Sequence, residues 1–251
     1  MSQIAWCTGA GKGIGRATSR LLAERGWTVV ASARTRSDLD SLASETASLS
    51  GNVVPYPLDV TDPEAVAAAA AEIEESVGKI DRALFIAGNH VPIAAKDFAV
   101  DPFRMLVEVN LMGVVHGLAA VLPRFIERRH GHVAVVASVS GYCGLPGAAA
   151  YGATKAALIN MCEALKPELD QFAVRLTLIN PGFVKTPLTD QNDFKMPFLM
   201  EVDDAARRIV DGLDARGFEV TFPRRFTYAL KLLRMLPYPL QFAATRRLVR
   251  S

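Results

Sequence analysis

The chain has 251 residues, half of them hydrophobic, and a formal net charge of +2 at pH 7. This length and composition favour a single α/β domain with a large core and exclude an intrinsically disordered chain. The near-neutral total also argues against a nucleic-acid-binding protein, because such a protein needs a basic surface.

The cysteines and the first residues indicate the compartment. Cys7, Cys143 and Cys162 leave an unpaired thiol under any disulfide scheme and lack metal-ligand spacing, so we expect reduced cysteines and no metal site. The first residues lack the basic start and long apolar stretch of a secretory signal. No uninterrupted apolar run approaches the ~18 residues of a membrane span. We therefore expect a cytoplasmic protein.

Seven short β-like runs alternate with segments of helical spacing. They cover residues 3–8, 28–33, 53–58, 82–87, 132–138, 174–180 and 219–222. Such alternation is typical of βαβ units with right-handed crossovers. We predict a Rossmann-like, doubly wound α/β sheet of about seven parallel strands with helices on both faces. Asp62-Pro63 and Asp101-Pro102 each pair a capping acid with a proline at the first helical position, which predicts two helix starts.

A glycine-rich turn lies between the first predicted strand and the first helix. Its sequence is Thr8-Gly9-Ala10-Gly11-Lys12-Gly13-Ile14-Gly15, with the spacing T-G-x-x-x-G-x-G. Glycines let the backbone approach a pyrophosphate, and the N-terminus of the following helix favours the negative charge. We predict that this turn binds the phosphates of a dinucleotide through Gly9, Gly11, Lys12, Gly13, Ile14 and Gly15.

The end of the second predicted strand bears on the choice of dinucleotide. An acid there binds the ribose hydroxyls of NAD, whereas a base accommodates the additional phosphate of NADP. This chain has Arg34 and Arg36 there and no acid before Asp38, and Lys12 adds a positive charge nearby. We predict NADP(H), bound by Arg34. The alternative is that both arginines only solvate a helix start.

A serine, a tyrosine and a lysine have spacing suited to proton transfer. Tyr151 and Lys155 are four residues apart, so on a helix they share one face and the ammonium favours the ionised phenol. Ser138 ends the fifth predicted strand, and Tyr151 begins the next helix, both at the sheet edge where open α/β folds bind ligands. A substrate carbonyl placed there accepts hydrogen bonds from both hydroxyls. A nicotinamide supplies a hydride to its carbon, and Tyr151 supplies a proton to its oxygen.

Taken together, these motifs resemble the short-chain dehydrogenase/reductase family in its compact form, over residues 3–222. The other matching elements are Asp59 in Leu58-Asp59-Val60, Ala87-Gly88, Asn110 in Val109-Asn110-Leu111, and Pro181-Gly182 with Thr186. The resemblance implies an NADP(H)-dependent oxidoreductase that interconverts a carbonyl and an alcohol. In it Tyr151 is the general acid/base and Ser138 holds the carbonyl. Lys155 lowers the phenol's pKa and holds the nicotinamide ribose, and Asn110 positions a water that links Lys155 to solvent.

The resemblance also implies further cofactor contacts and an oligomer. The contacts are Asp59, Val60, Ala87, Gly88, Tyr151, Lys155, Pro181, Gly182, Val184 and Thr186. The oligomer is a homodimer or homotetramer formed through long helices at 102–129 and 149–170. The chain departs from the family pattern just before Ala87, where Phe85-Ile86 replace the usual asparagines and Asn89 is a candidate substitute.

Residues 187–202 have little helical or strand regularity, and in the resembled family this region covers the substrate. Methionine and aromatic residues are concentrated there, and such adaptable apolar surface predicts a hydrophobic carbonyl or alcohol substrate. The predicted substrate contacts are His90, Cys143, Leu145, Phe194 and Phe198. The alternative is that the apolar residues of 187–202 form core or subunit contacts.

Residues 224–251 form a basic, amphipathic helical tail after an oxidoreductase domain at 1–223. The tail carries seven bases and no acid, against 21 bases and 26 acids elsewhere. Its apolar stripe either packs on a second subunit or lies on an anionic membrane surface, and we favour packing. The stripe consists of Phe226, Leu230, Leu233 and Leu236.

Two competing functions stay open at this stage. One is a non-catalytic NADP-binding redox sensor, which the complete set of Ser138, Tyr151 and Lys155 argues against. The other is a membrane-peripheral protein that binds a lipid-like substrate. Liposome binding with and without residues 224–251 separates the latter from subunit packing.

Overall fold

A parallel seven-stranded sheet forms the centre of the molecule, whose computed structural model describes residues 2–191 and 196–249. The strand order is β3-β2-β1-β4-β5-β6-β7, which confirms the doubly wound prediction. Two predicted strands, β4 and β5, end two residues earlier than expected. The strands are β1 (Ile4–Thr8), β2 (Thr28–Ala33), β3 (Asn52–Pro57), β4 (Arg82–Phe85), β5 (Gly131–Val136), β6 (Val174–Pro181) and β7 (Glu219–Phe222).

Helices cover both faces of this sheet. They are α1 (Gly13–Glu24), α2 (Arg36–Glu45), α3 (Pro63–Ser76), α4 (Val100–Val107), α5 (Gly113–Glu127), α6 (Ala149–Gln171), α7 (Val202–Asp214), α8 (Arg224–Met235) and α9 (Tyr238–Thr245). One core layer joins the sheet to α3, α5 and α6 around Trp6 and Phe85. The other joins it to α1, α2 and α7 around Leu22 and Ile209. The cysteines lie within the packed interior, buried and unpaired.

The two predicted helix starts have different outcomes. Asp62 caps α3, because its side chain accepts a hydrogen bond from the backbone N–H of Ala65, and Pro63 opens the helix. The prediction for Asp101 is wrong. Helix α4 begins at Val100, two residues before the predicted start at Pro102, and Asp101 lies in the first turn, where its charge still faces the positive helix end.

The long helix predicted at 102–129 is interrupted. A single π-helical segment, Glu108–Met112, separates α4 from α5. Such π-bulges insert a residue into the helical ladder and are frequent at functional sites. Here the bulge contains the fully buried Asn110.

The combined helical segment Val100–Glu127 is, by length and composition, apolar enough to cross a membrane. Its residues Val114, Leu118, Val121 and Phe125 are buried in the core that covers the sheet. A core helix of a soluble protein passes the same composition test, so this segment is weak evidence for a membrane span.

Candidate active site

The predicted catalytic residues meet at the carboxyl edge of the sheet. Ser138 lies just beyond β5, and Tyr151 and Lys155 occupy the first two turns of α6. Asn110 approaches from the π-bulge. Asn110, Ser138 and Lys155 are buried, whereas Tyr151 keeps part of its surface exposed. The strand order reverses between β1 and β4 at this edge, which is where open α/β sheets form ligand crevices.

Lys155 is held by the sheet next to Tyr151, and its expected lowering of the phenol's pKa stays a prediction. Lys155 Nζ donates a hydrogen bond to the Val136 carbonyl at 2.9 Å and lies 5.6 Å from the centre of the Tyr151 ring. Burial lowers the pKa of Lys155 to about 8. Burial also raises the pKa of Tyr151, and a hydrogen bond with Ser138 partly offsets that rise. The net shift favours the protonated phenol.

Asn110 holds a loop in place through its side chain. Its Oδ1 accepts from the Asn89 N–H at 2.7 Å, and its Nδ2 donates to the Asn89 carbonyl at 2.9 Å and to Thr154 Oγ1 at 3.2 Å. A Cβ added at Gly88 would lie 3.4 Å from Asn110 Oδ1 and 3.6 Å from Lys155 Nζ. The loop after β4 is thus fastened beside the catalytic lysine. The water that Asn110 is expected to position stays a prediction.

The end of β4 is secured without the family's usual asparagines. The hydroxyl of Thr8, at the end of β1, accepts hydrogen bonds from the N–H groups of Ile86 and Ala87. Asn89, the candidate substitute, instead accepts the N–H of His90 through its side chain. Thr8 therefore replaces part of the expected asparagine function, and Asn89 contributes mainly through its backbone.

The glycine turn fits a dinucleotide phosphate because side chains are excluded from it. Gly9 has φ +71°, and a Cβ there would lie 2.6 Å from the Ala87 nitrogen. At Gly15 a Cβ would lie 2.1 Å from the Gly9 carbonyl oxygen. The turn leads directly into α1, whose N-terminus favours an anion. These contacts leave a bare backbone cradle at the edge of the sheet.

The turn after β6 approaches the same cradle. A Cβ at Gly13 would lie 3.1 Å from Thr186 Cγ2, so the glycine turn and Thr186 are neighbours. Gly182 N–H donates to the Phe222 carbonyl at 2.7 Å, and the Pro181 carbonyl lies 3.5 Å from Ser138 Oγ. Val184 pairs with Met200 in a short parallel bridge. The predicted nicotinamide segment, Pro181 to Thr186, therefore lies between the phosphate turn and the catalytic serine.

The region after β2, which is predicted to bind the adenosine part of the dinucleotide, contains both acidic and basic side chains. Arg34 is exposed just after β2, and its charge contributes to lowering the pKa of Asp59. The main cause of that lowered pKa is the Thr61 N–H, which donates to Asp59 Oδ1 at 3.0 Å. Lys12 Nζ lies 3.5 Å from Asp38 Oδ2.

Two residues at this end, Asp38 and Val60, make contacts that the sequence did not predict. A Cβ at Gly11 would lie 3.3 Å from the Asp38 Cβ, so Asp38 faces the glycine turn although it follows β2 by five residues. Val60 is buried against Gly113, and its carbonyl lies 2.9 Å from His116 Nδ1. An acid and a base thus share the region that distinguishes NAD from NADP.

The predicted substrate residues occupy two places. His90 meets Tyr151 edge to face, with ring centres 4.8 Å apart. Cys143 and Leu145 pack with Val139 and the tail residue Leu230 in a small apolar cluster. Phe198 is exposed, and its ring centre is 5.9 Å from that of Phe226. Phe194, also predicted to contact substrate, lies outside the described residues.

A polar network behind this apolar cluster was not found from the sequence. Tyr142 Oη donates to Glu219 Oε1 at 2.5 Å, and Asn180 Nδ2 donates to the same oxygen at 2.7 Å. Lys231 of the tail donates to the other oxygen, Oε2. These contacts lower the pKa of Glu219 despite its partial burial, which acts the other way. The network joins α8 to the loop that follows Ser138.

Among residues 2–191 and 196–249, no group of three or more His, Cys, Asp and Glu side chains is arranged to hold a metal ion. The acids at the site are accounted for by neighbouring donors. Asp59 accepts from Thr61, Asp38 pairs with Lys12, and Glu219 pairs with Lys231. The described site therefore offers hydroxyl, ammonium and backbone groups for chemistry.

Known proteins resemble this chain over nearly its whole length. A family model described as short chain dehydrogenase matches residues 3–196. An uncharacterized oxidoreductase from Myxococcus xanthus is 38% identical over 246 residues, which cover 98% of this chain and 97% of that protein. The 3-oxoacyl-(acyl-carrier-protein) reductase FabG of Thermotoga maritima is 34% identical over 189 residues, 75% of this chain and 77% of the reductase.

The similarity extends to solved structures. An alcohol dehydrogenase from the archaeon Thermococcus sibiricus, complexed with 5-hydroxy-NADP, is 26% identical and superposes with a TM-score of 0.80. The match covers 88% of this chain and 96% of that one. Since the Myxococcus protein aligns over 98% of the present chain, the similarity also reaches into the C-terminal tail.

Proposed function

This chain belongs to the short-chain dehydrogenase family and is an oxidoreductase, and from that premise we propose that it interconverts a carbonyl and an alcohol with NADP(H). The observation that carries the proposal is the placement of Ser138, Tyr151 and Lys155 together at the carboxyl edge, where Ser138 partly lowers the pKa of Tyr151. The bare glycine cradle beside them supports a dinucleotide partner.

The chain's own groups supply the proton and the orientation. When bound, the nicotinamide supplies a hydride to the carbonyl carbon. Ser138 Oγ and Tyr151 Oη then hydrogen-bond the carbonyl oxygen, and Tyr151 gives its proton to that oxygen as negative charge develops. Asn110 and Thr154 hold the adjoining loop and helix together, which keeps these donors in position.

The pKa shifts suit Tyr151 as the proton donor of a reduction. Burial raises the pKa of Tyr151, so near neutral pH the phenol carries the proton that a reduction requires. Lys155, with its pKa lowered to about 8, exchanges its own proton in the same range and can restore the phenol. In alcohol oxidation the roles reverse, and an ionised Tyr151 accepts the proton.

The preference for NADP(H) is supported at the end of β2. Arg34 is exposed there and lies close enough to Asp59 to influence its pKa. Asp38 faces the glycine turn, but Lys12 lies 3.5 Å from it and offsets its charge. The alcohol dehydrogenase of Thermococcus sibiricus was solved with 5-hydroxy-NADP. A guanidinium next to the ribose suits the additional phosphate.

A hydrophobic substrate is supported by the residues around the site. Cys143 and Leu145 form an apolar cluster, and Phe198 packs with Phe226 over the same side. The similar reductase of Thermotoga maritima is named for a 3-oxoacyl substrate, which carries a carbonyl. We infer a ketone or aldehyde attached to an apolar body.

The deciding experiment measures NADPH and NADH consumption against ketones, aldehydes, steroids and 3-oxoacyl thioesters. We expect turnover of at least one apolar carbonyl with NADPH. Tyr151→Phe should lose roughly 10²–10⁴-fold in rate, as is typical of a missing general acid, while NADPH binding stays near wild type. Turnover that survives in Tyr151→Phe would refute the proposed proton donor. Tight NADPH binding without turnover of any substrate would favour the non-catalytic sensor.

A further inference from the structure

The sequence assigns one apolar stripe to the tail, and the structure uses most of that stripe inside the molecule. Leu230 and Thr227 of α8 are buried, and Phe226 and Leu233 pack with them against Val139 and Cys143. Lys231 reinforces this docking through Glu219. The inner face of α8 is therefore covered by this chain itself, and the subunit packing that we favoured for this stripe is not needed to bury it.

The outer face of the tail is also apolar, although it faces water. Tyr228, Leu232 and Met235 recur at i, i+4 and i+7 along α8 and are 59%, 63% and 81% exposed. Large apolar side chains that recur along one helix face mark an interaction surface.

Helix α9 also exposes large apolar side chains. Tyr238 and Phe242 of α9 stack with ring centres 5.6 Å apart, and both are exposed. Leu240, Leu248 and Val249 are more than half exposed. This set of residues on and after α8 and α9 is called the outer tail face.

Positive charge accompanies the outer tail face. The exposed bases are Arg224, Arg225, Arg234, Arg246 and Arg247. Within the described part of the chain, no ion pair joins any of these five arginines to an acid, and the segment 224–251 contains no acid of its own. The surface therefore combines apolar rings and chains with uncompensated guanidinium groups.

This combination favours an anionic lipid surface over a second copy of the chain. A twofold interface would match the face with itself, and because residues 224–251 contain no acid, the partner's tail would offer these arginines no carboxylate. A bilayer with anionic headgroups accepts the arginines at its surface while Leu, Tyr and Phe enter the acyl boundary. Arginine stems can extend from the apolar layer to the headgroups.

We propose that the outer tail face docks this protein on an anionic membrane surface. The inner face of the same helix packs against the loop after Ser138, so docking holds the substrate side of the site near lipid. That consequence rests on the proposed function, whereas the docking itself does not.

The test is co-sedimentation of the full chain with vesicles, independent of any enzyme assay. One set contains phosphatidylcholine alone and the other contains added phosphatidylglycerol. We expect binding to the anionic vesicles only, weakened by salt because surface charges are screened. The double variant Leu232→Ser/Met235→Ser should lower the partition coefficient ~10-fold or more. Arg246→Gln/Arg247→Gln should lower it about 30-fold, from about 1 kcal/mol for each of the two bases.

The matched control is Phe98→Ser, which removes an equally exposed apolar side chain outside the tail and should leave binding unchanged. Circular dichroism and thermal unfolding at wild-type values establish that each variant is folded. Equal binding to neutral and anionic vesicles, or no loss in the tail variants, would overturn the proposal. It would also be overturned if the wild type bound no vesicles and light scattering showed a dimer that Leu232→Ser/Met235→Ser dissociates.

Discussion

The carboxyl edge of the sheet and the C-terminal tail have opposite relations to water. At the carboxyl edge the polar side chains of Asn110, Ser138 and Lys155 are buried, and each has a hydrogen-bond partner within the chain. On the tail, Leu232 and Met235 remain in water. The first region buries groups that cost free energy to desolvate, and the second exposes groups that would gain from burial.

This difference shows how each region acts. The buried polar groups are positioned before any ligand binds, as a catalytic site requires. The exposed apolar groups become buried only when another surface covers them. The two regions meet at α8, whose inner residue Leu230 packs behind the site and whose outer residue Leu232 faces solvent. Substitutions can therefore alter one region without the other.

The largest effect is expected for a substitution at Gly9, where the carboxyl edge has no room for a side chain. Gly9→Ala forces an l-residue to φ +71° and places a Cβ 2.6 Å from the Ala87 backbone nitrogen. Strain of about 1–3 kcal/mol and overpacking of a similar size predict a loss of about 2–6 kcal/mol in unfolding free energy. Urea unfolding measures this loss, and isothermal titration should show weakened NADPH binding.

The matched control for that substitution is Gly217→Ala. A Cβ at Gly217 meets only the Glu219 carbonyl oxygen, at 3.9 Å. Its unfolding free energy should stay within about 1 kcal/mol of the wild type. Equal losses in both variants would contradict the close approach at Gly9.

The second prediction separates the two faces of α8. Leu230→Ala removes a side chain that is 8% exposed and should lower the unfolding free energy by about 2–4 kcal/mol. Leu232→Ala, 63% exposed, should change it by less than about 0.5 kcal/mol. Thermal and urea unfolding of both variants measure the contrast. Similar losses would show that the outer face is also packed in solution.

The third prediction concerns pH and the buried lysine. The pKa of Lys155 is about 8 in the folded state and 10.5 as its reference value. Between these values the unfolded chain binds more protons, so this group makes unfolding free energy rise with pH across that window. Lys155→Met lacks the charge and should be more stable below pH 8 by roughly 1–3 kcal/mol, while losing activity.

The readout is the difference in unfolding free energy between the wild type and Lys155→Met, followed from pH 7 to pH 10 by urea titration. That difference should shrink as pH rises, because the wild-type lysine becomes neutral. A difference independent of pH would mean that Lys155 is solvated and carries no burial cost.

The smallest effect is expected at the exposed end of the cofactor site. Arg34→Ala should weaken NADPH binding roughly tenfold, near the lower limit for a charge-assisted hydrogen bond because Arg34 is exposed to solvent. NADH binding should change little. Titration of both cofactors measures the ratio, and equal weakening would remove Arg34 from the phosphate site. Arg36→Ala, at an exposed base that pairs with Asp40, is the control.

The elements that the sequence predicts well are those whose requirements are local. The strands follow from runs of β-like residues, and the Asp62 cap follows from two adjacent positions. Tyr151 and Lys155 share a helix face because they are four residues apart. The Asp101 cap is wrong because the helix begins two residues before Pro102, at Val100.

The elements that it misses depend on contacts between distant segments. Asn110 hydrogen-bonds Asn89 from a π-bulge that no residue pattern predicts. Glu219 collects donors from Tyr142, Asn180 and Lys231, which are separated by up to 89 positions along the chain. Such contacts exist only once the strands have assembled.

By itself, the amino-acid sequence therefore determined the parallel sheet, the glycine cradle and the presence of a serine, tyrosine and lysine at one edge, because spacing and glycine chemistry act over a few residues. The tertiary structure alone decided that Lys155 bonds to the Val136 carbonyl and that Asp38 faces the glycine turn. It also decided that the inner apolar face of α8 packs against the rest of the chain, whereas a second apolar face of the helix is exposed to water. The physical reason is that burial and charge pairing depend on which segments pack together, and the chain order does not specify that.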